Sequence, residues 1–155
     1  MTTMTRLGQG AYWQDLTVGQ RFDTFSRTIT ETDLVNFISC TGMLEAIFID
    51  AHYPDGAISG RVVPGALTYT LIEGLILHTM IQGTGLAMLE LTQKMHAPVC
   101  VGDTIRAEIE VTGVRPTSQH NRAVVDSSIS IYNQHSTLVM HYTARRLLAG
   151  KHNAA

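Results

Sequence analysis

From Val62 to Met80 the sequence reads VVPGALTYTLIEGLILHTM, and this stretch sets the plan of the whole chain. Pro64 and Gly65 read as a helix opening, because proline holds a φ that suits the first turn and lacks an N–H that the turn would leave unpaired. Leu67, Leu71, Ile72, Leu75 and Ile76 then place apolar side chains round most of the circumference, which predicts a helix buried on several sides and closed by Gly83 and Gly85. The apolar run from Ala66 to Ile81 is broken by Thr68, Thr70, Glu73, Gly74 and His78, and it falls short of the roughly 20 residues that cross a bilayer. It reads as a core helix, which needs a sheet around it.

That sheet is legible downstream. Ile105, Ala107, Ile109 and Val111 alternate with Arg106, Glu108, Glu110 and Thr112, the period of a strand with one wet face. Ala123, Val125, Ile129 and Ile131 repeat it, and Met88 to His96 and Leu138 to Leu147 read as two further strands. Upstream, Phe22 to Ile29 is strand-like. Thr30 and Asp33 make a capping box for a short helix with Leu34, Phe37 and Ile38 on one face, stopped by Gly42. Met43 to Val63 keeps no period and contains the turn signals Pro54-Asp55-Gly56 and Ser59-Gly60. The order predicts a single α+β domain in which a curved antiparallel sheet, a meander, wraps a long central helix. Residues 13–148 make that domain, between a loose N-terminal arm (1–12) and a small polar tail (149–155).

A chain of 155 residues suits one domain, and 45% hydrophobic against 15% charged residues predicts extensive burial, part of it against another subunit. A homodimer or larger oligomer is therefore expected. A net charge of -2 offers no electrostatic footprint for nucleic acid or an anionic membrane. Cys40 and Cys100 lie far apart in apolar stretches, without ligand spacing, and read as buried free thiols. No pair of the seven histidines has a spacing such as HExxH, so neither a metal nor another cofactor is expected. The N-terminus, MTTMTRLGQG, lacks the apolar segment of a secretory signal, which predicts a cytoplasmic protein.

Five short stretches carry a resemblance: Trp13 with the Val18-Gly19 turn, TETDLVNFISCTG at 30–42, VVPGAL at 62–67, APVCVGDT at 97–104, and the Tyr132-Asn133-Gln134 hairpin. In this order and spacing they resemble the MaoC-like domains that include the (R)-specific enoyl-CoA hydratases of hot-dog fold. In catalytic members the segment after the first short helix reads Gly-Asp-x-Asn-Pro-x-His-x-Asp, and its Asp and His hold the water added across an enoyl-CoA double bond. The matching residues here run from Gly42 to Asp50, GMLEAIFID. Met43 stands for the Asp, Glu45 for the Asn, Ala46 for the Pro and Phe48 for the His. Neither methionine nor phenylalanine can carry a proton. The family's His-Gly at the mouth of the long helix is Pro64-Gly65 here.

The resemblance implies an acyl thioester linked to coenzyme A as ligand, and hydration or dehydration as the reaction. Gly65 would offer its backbone N–H, at the positive end of the helix dipole, to the thioester oxygen, with Pro64 and Tyr69 lining the substrate site. Glu45 would be the substitute base, its pKa raised by burial beside an acyl chain; the plainer reading is a solvated loop glutamate or an arginine partner. Asp50 matches a family Asp and reads as a cap or turn residue. His52 follows the pocket segment and His96 ends the strand after the long helix, while His78 reads as a helix or interface residue. Tyr69 and Glu73 fit an acyl tunnel or a buried hydrogen-bonded pair. Two other functions stay open. One is a non-catalytic hot-dog subunit that binds acyl-CoA or completes a heteromeric hydratase. The other is a thioesterase, since other hot-dog enzymes use a lone carboxylate with a helix N-terminus.

Overall fold

The capping box forms where the sequence places it: Thr30 Oγ1 accepts from the Asp33 N–H (3.2 Å), and an Asp33 carboxylate oxygen accepts from the Thr30 N–H (2.8 Å). It opens α1 (Glu31–Thr41), which buries Leu34 and Ile38. The helix ends on Gly42, whose φ of 74° is a left-handed conformation that glycine adopts without a Cβ penalty. In the computed structural model, which describes residues 4–152, two short strands precede this helix, β1 (Arg21–Asp23) and β2 (Arg27–Thr28). The strand read from Phe22 to Ile29 is thus broken. Both pieces pair with one partner strand, and the pairing slips by one residue between Asp23 and Arg27 where Phe25 turns out to solvent.

The remaining elements are α2 (Ala46–Ile49), α3 (Gly65–His78), β3 (Gly85–Met95), β4 (Thr104–Pro116), β5 (Arg122–Tyr132) and β6 (Leu138–Ala149). All pairings are antiparallel, in the order β1-β4-β5-β6-β3, with β2 beside β1 on β4. The expected meander therefore holds for β4, β5 and β6 but not for β3. The connection after β3 crosses to the far edge, pinned by the Val63 N–H to Val99 O (2.9 Å) and the Val101 N–H to Arg61 O (2.9 Å). The alternation in β4 and β5 buries Ile105, Ala107, Ile109 and Val111, then Ala123, Val125, Ile129 and Ile131. With Ile29, Leu34, Ile72, Ile76 and Tyr142 they form the core.

The helix α3 is shorter than its apolar stretch suggests. It has 14 residues and ends at His78: Thr79 leaves helical geometry with φ -118° and ψ -72°, and the Ile81 N–H then reaches back five residues to Ile76 O (3.2 Å). Gly83 and Gly85 lie beyond it, in the turn and at the start of β3. Nor is α3 covered all round, since Thr70, Gly74 and Leu77 are exposed along one side.

The inner end of the arm is tied down. Gly10 and Ala11 donate to Gln82 O and Met80 O (2.8 Å each), and a Cβ on Gly10 would stand 2.4 Å from the Gln82 nitrogen. At the other end Gly150 is buried and donates to Asn121 O (2.8 Å). The rest of the two terminal readings, residues 1–3 and 153–155, lies outside the described residues. The reading of buried thiols is corrected: both cysteines are free, but Cys40 is exposed, on the side of α1 away from Leu34 and Ile38. Cys100 is half-buried, and burial, then the charge of Asp103, push its pKa up.

Candidate functional site

The segment from Gly42 to Asp50 folds back over the mouth of α3. Glu45 caps α2, its Oε1 accepting from the Ala46 N–H at 3.0 Å, so the residue expected as a base is an exposed helix cap here. Asp50 ends α2 and its Oδ1 accepts from the His52 N–H (2.9 Å), the cap-and-turn role read for it. Phe48 is half-buried and packs on the core, whereas Met43 remains 41% exposed. A residue that sequence reasoning passed over holds this loop in place. Arg61 donates through Nε and Nη2 to Glu31 at the start of α1 (Nη2 at 2.8 Å), and through Nη1 to the Phe48 carbonyl. The guanidinium keeps the Glu31 carboxyl below its ordinary range.

Pro64 caps α3 with φ -56° and ψ 138°, and its carbonyl accepts from Leu67 N–H (2.9 Å) and Thr68 N–H (3.4 Å). Among the described residues nothing accepts from the N–H of Gly65 or Ala66. These two amides, at the positive end of a 14-residue helix, are the natural seat for a carbonyl oxygen or other partial negative charge. An open cleft of about 510 Å³ lies against them and is lined by Met43, Glu45, Phe48, Pro64 and Gly65. The structure thus brings together five of the six residues singled out for the site. On the other side of Gly65 lies a second, mainly apolar cavity of about 340 Å³.

Tyr69, the sixth, lies elsewhere. It lines a third cavity, with Glu73, Leu77 and Arg146, and its ring meets that of Tyr142 edge-on at 5.2 Å. Burial, then the charge of Glu73, raise its pKa. The pair expected between Tyr69 and Glu73 is replaced by a longer-range cluster. Glu73 Oε1 accepts from the Tyr142 hydroxyl (2.7 Å) and from Arg146 Nη2, both on β6. Burial first, then Glu73, push the Tyr142 hydroxyl far above its usual range. The signal for this cluster was Tyr142 and Arg146, four residues apart on one face of a strand whose other inward residues are apolar.

His96 lines the second cavity; His52 lies in the exposed loop and His78 on the outer side of α3. Among the described residues no three His, Cys, Asp or Glu side chains gather as a metal-binding group, and no helix is long and apolar enough to cross a membrane.

An α+β domain whose open cleft sits on the N-terminus of a helix, beneath a loop carrying Met43 and Phe48, defines the class. The chain belongs to the MaoC like domain family, whose model matches residues 14–131. Its structure is similar to R-hydratase PhaJ1 from Pseudomonas aeruginosa, with 26% identity over 95% of this chain and 93% of that one and a TM-score of 0.78. It is also similar to a MaoC-like dehydratase from Rhodospirillum rubrum, with 20% identity, 93% and 100% covered, and a TM-score of 0.83. A conserved hypothetical protein of Mycobacterium tuberculosis with a double hotdog fold gives 20% identity and a TM-score of 0.80, with 97% of this chain and 47% of that one covered. Comparison with curated proteins gives no match.

Proposed function

We propose that this protein binds an acyl thioester of coenzyme A at the N-terminus of α3 and hydrates an enoyl thioester there, or catalyses the reverse dehydration. The observation that carries the reading is the pair of unpaired amides at Gly65 and Ala66, at the mouth of the cleft that holds both dyad positions of the family. The thioester oxygen accepts from the Gly65 N–H, which draws electrons out of the C2–C3 double bond. Water bonds to C3 through its oxygen and gives up a proton to Glu45. The proton then passes to C2. Glu45 is the carboxylate in the cleft and, being exposed, is free to leave its capping bond. Crotonyl-CoA turnover tests this directly: Glu45→Gln is expected to cut it by roughly a hundredfold or more while binding survives. Unchanged turnover removes Glu45 from the mechanism and turns attention to His96 and His52.

Met43 and Phe48 favour one second reading, a non-catalytic subunit that binds acyl-CoA or completes a hydratase whose partner supplies the Asp and His. Binding without turnover identifies it, and hydrolysis of acyl-CoA identifies a thioesterase instead. The domain of residues 13–148, in its finer form a hot-dog with the sheet curved round α3, belongs to the same proposal and is supported by the Glu73 bridge from α3 to β6. So does a homodimer. Among the described residues strand β3 pairs only with β6, and its Leu86, Met88, Leu89 and Leu91 are exposed, an arrangement that a second copy alongside would cover. A relative that holds two such units in one chain supports that pairing. A cytoplasmic location fits a chain whose two cysteines are both free.

A further inference from the structure

The two walls of the open cleft are held in different ways. Pro64 and Gly65 follow a stretch whose backbone is fixed: Arg61 O accepts from the Val101 N–H (2.9 Å), Val62 bridges to Cys100, and the Val63 N–H donates to Val99 O (2.9 Å). The opposite wall carries Glu45 and Phe48 and is built on α2, which has four residues and fully buries none of them. One helical turn does not hold its shape in water by its own hydrogen bonds. The side chain of Arg61, 17% exposed, crosses from the first wall to the second. Nε stands 3.1 and 3.2 Å from the two Glu31 carboxylate oxygens, Nη2 donates to one of them at 2.8 Å, and Nη1 donates to the Phe48 carbonyl. A guanidinium is a rigid planar fork, so once Glu31 fixes one edge of it the place of Nη1 is fixed too.

We propose that Arg61 is a positioning residue for hydration, setting the separation between the Glu45 carboxylate and the Gly65 amide without touching the substrate. The inference deepens the proposed function and rests on Glu45 as its base. The Phe48 and Ile49 N–H groups both donate to Glu45 O (2.8 and 3.1 Å), so a grip on the Phe48 carbonyl is a grip on the backbone turn that begins at Glu45. The other end of the span, the Arg61 backbone, lies four residues before Gly65 on the fixed stretch. Hydration needs the thioester oxygen on the Gly65 amide while a water lies between C3 and Glu45, and a displacement of about 1 Å between such groups costs on the order of a hundredfold in rate. The seat of the thioester at Gly65 does not depend on the α2 wall, so the loss falls on kcat and leaves KM. Lysine cannot stand in for Arg61, because a single ammonium on a flexible stem reaches Glu31 or the Phe48 carbonyl but does not fork between them.

The test compares wild type, Arg61→Gln and Arg61→Lys by amide hydrogen exchange and by crotonyl-CoA kinetics. In Arg61→Gln the Phe48, Ile49 and Asp50 amides should exchange faster while those of β4 and β5 keep their protection. Its kcat should fall by about ten- to a hundredfold with KM within about twofold of wild type. Arg61→Lys, which keeps the charge and is the milder variant should Arg61→Gln fail to fold, should show the same pattern to a smaller degree. Unchanged exchange at the three α2 amides in a folded variant overturns this inference alone. So does a loss carried by KM with kcat kept, and so does protection lost equally across β4 and β5, which would make Arg61 a support of the whole fold. A wild type without crotonyl-CoA turnover overturns the proposed function and takes this inference with it.

Discussion

Replacing Glu73 with glutamine should be the most damaging conservative change in this protein. Glu73 is 7% exposed and Arg146 6%, and one carboxylate oxygen receives both Arg146 and the Tyr142 hydroxyl. The amide would keep the size and one acceptor but leave the guanidinium buried without a counter-charge, with its Nε already lacking a partner among the described residues. Removing one member of a buried pair costs about 3–5 kcal/mol, a large share of the roughly 5–15 kcal/mol that holds a domain folded. At about 2–4 °C per kcal/mol for a chain of this size, Tm should fall by about 6–20 °C. Urea unfolding followed by Trp13 fluorescence should show the midpoint drop at constant slope, since the surface exposed on unfolding is unchanged. Glu73→Met with Arg146→Met, which removes both charges, should recover most of the loss. A Glu73→Gln protein within about 1 kcal/mol of the wild type, or a double variant no better than the single one, would refute the account of the cluster as a coupled ion pair.

Two further outcomes concern the helix cap and the free sheet edge. Burial works to raise the Asp33 carboxyl, but its bonds from Thr30 and Arg27 outweigh that, so its pKa in the folded protein lies below the ordinary 3.8. A depressed carboxylate adds stability above its unfolded pKa and loses it as pH falls through the folded value, so Asp33→Asn should cost about 1 kcal/mol at pH 7. The gap should close below about pH 4 in denaturation series run across pH, and a gap independent of pH would contradict the assignment. The wild type should sediment as a dimer at micromolar concentration and Leu89→Lys with Leu91→Lys as a folded monomer; a wild-type monomer would sink the proposal for the β3 edge.

What the sequence disclosed was mostly local. The Thr30–Asp33 box, the left-handed stop at Gly42, the helix opening at Pro64-Gly65 and the alternation of β4 and β5 each depend on residues within a few positions of one another, and each forms. Where geometry depends on partners far along the chain, the reading fell short. Nothing near Glu73 announces that Tyr142 and Arg146 will meet it, and Tyr69, one turn away, was the nearer but mistaken partner. The place of β3 beside β6 depends on a crossover that has no local signature. The short helix α2 was missed because glutamate is a poor cap by type, and the Arg61 contacts to Glu31 and the Phe48 carbonyl, far along the chain, help fix that loop against α1. The candidate positions from Met43 to Gly65 came from the family resemblance, and the structure places them round one cleft; the unpaired state of the buried Thr68 hydroxyl among the described residues had no signal in the sequence, because it depends on what a hydroxyl fails to touch.

The place of β3 has a consequence during synthesis. Among the described residues its one strand partner is β6, which pairs from Gly85↔Leu148 to Met95↔Met140, so an apolar strand waits for β6 to be translated. At roughly 5–20 residues per second the ribosome takes about 2–8 s to pass from residue 96 to residue 137, long compared with the microseconds in which hairpins close. Throughout that interval Leu86, Met88, Leu89 and Leu91 are available to any strand that meets them, including the same segment on a neighbouring nascent chain. In the dimer proposed along this edge, ribosomes following one another on a single message would bring β3 segments together before either sheet is complete.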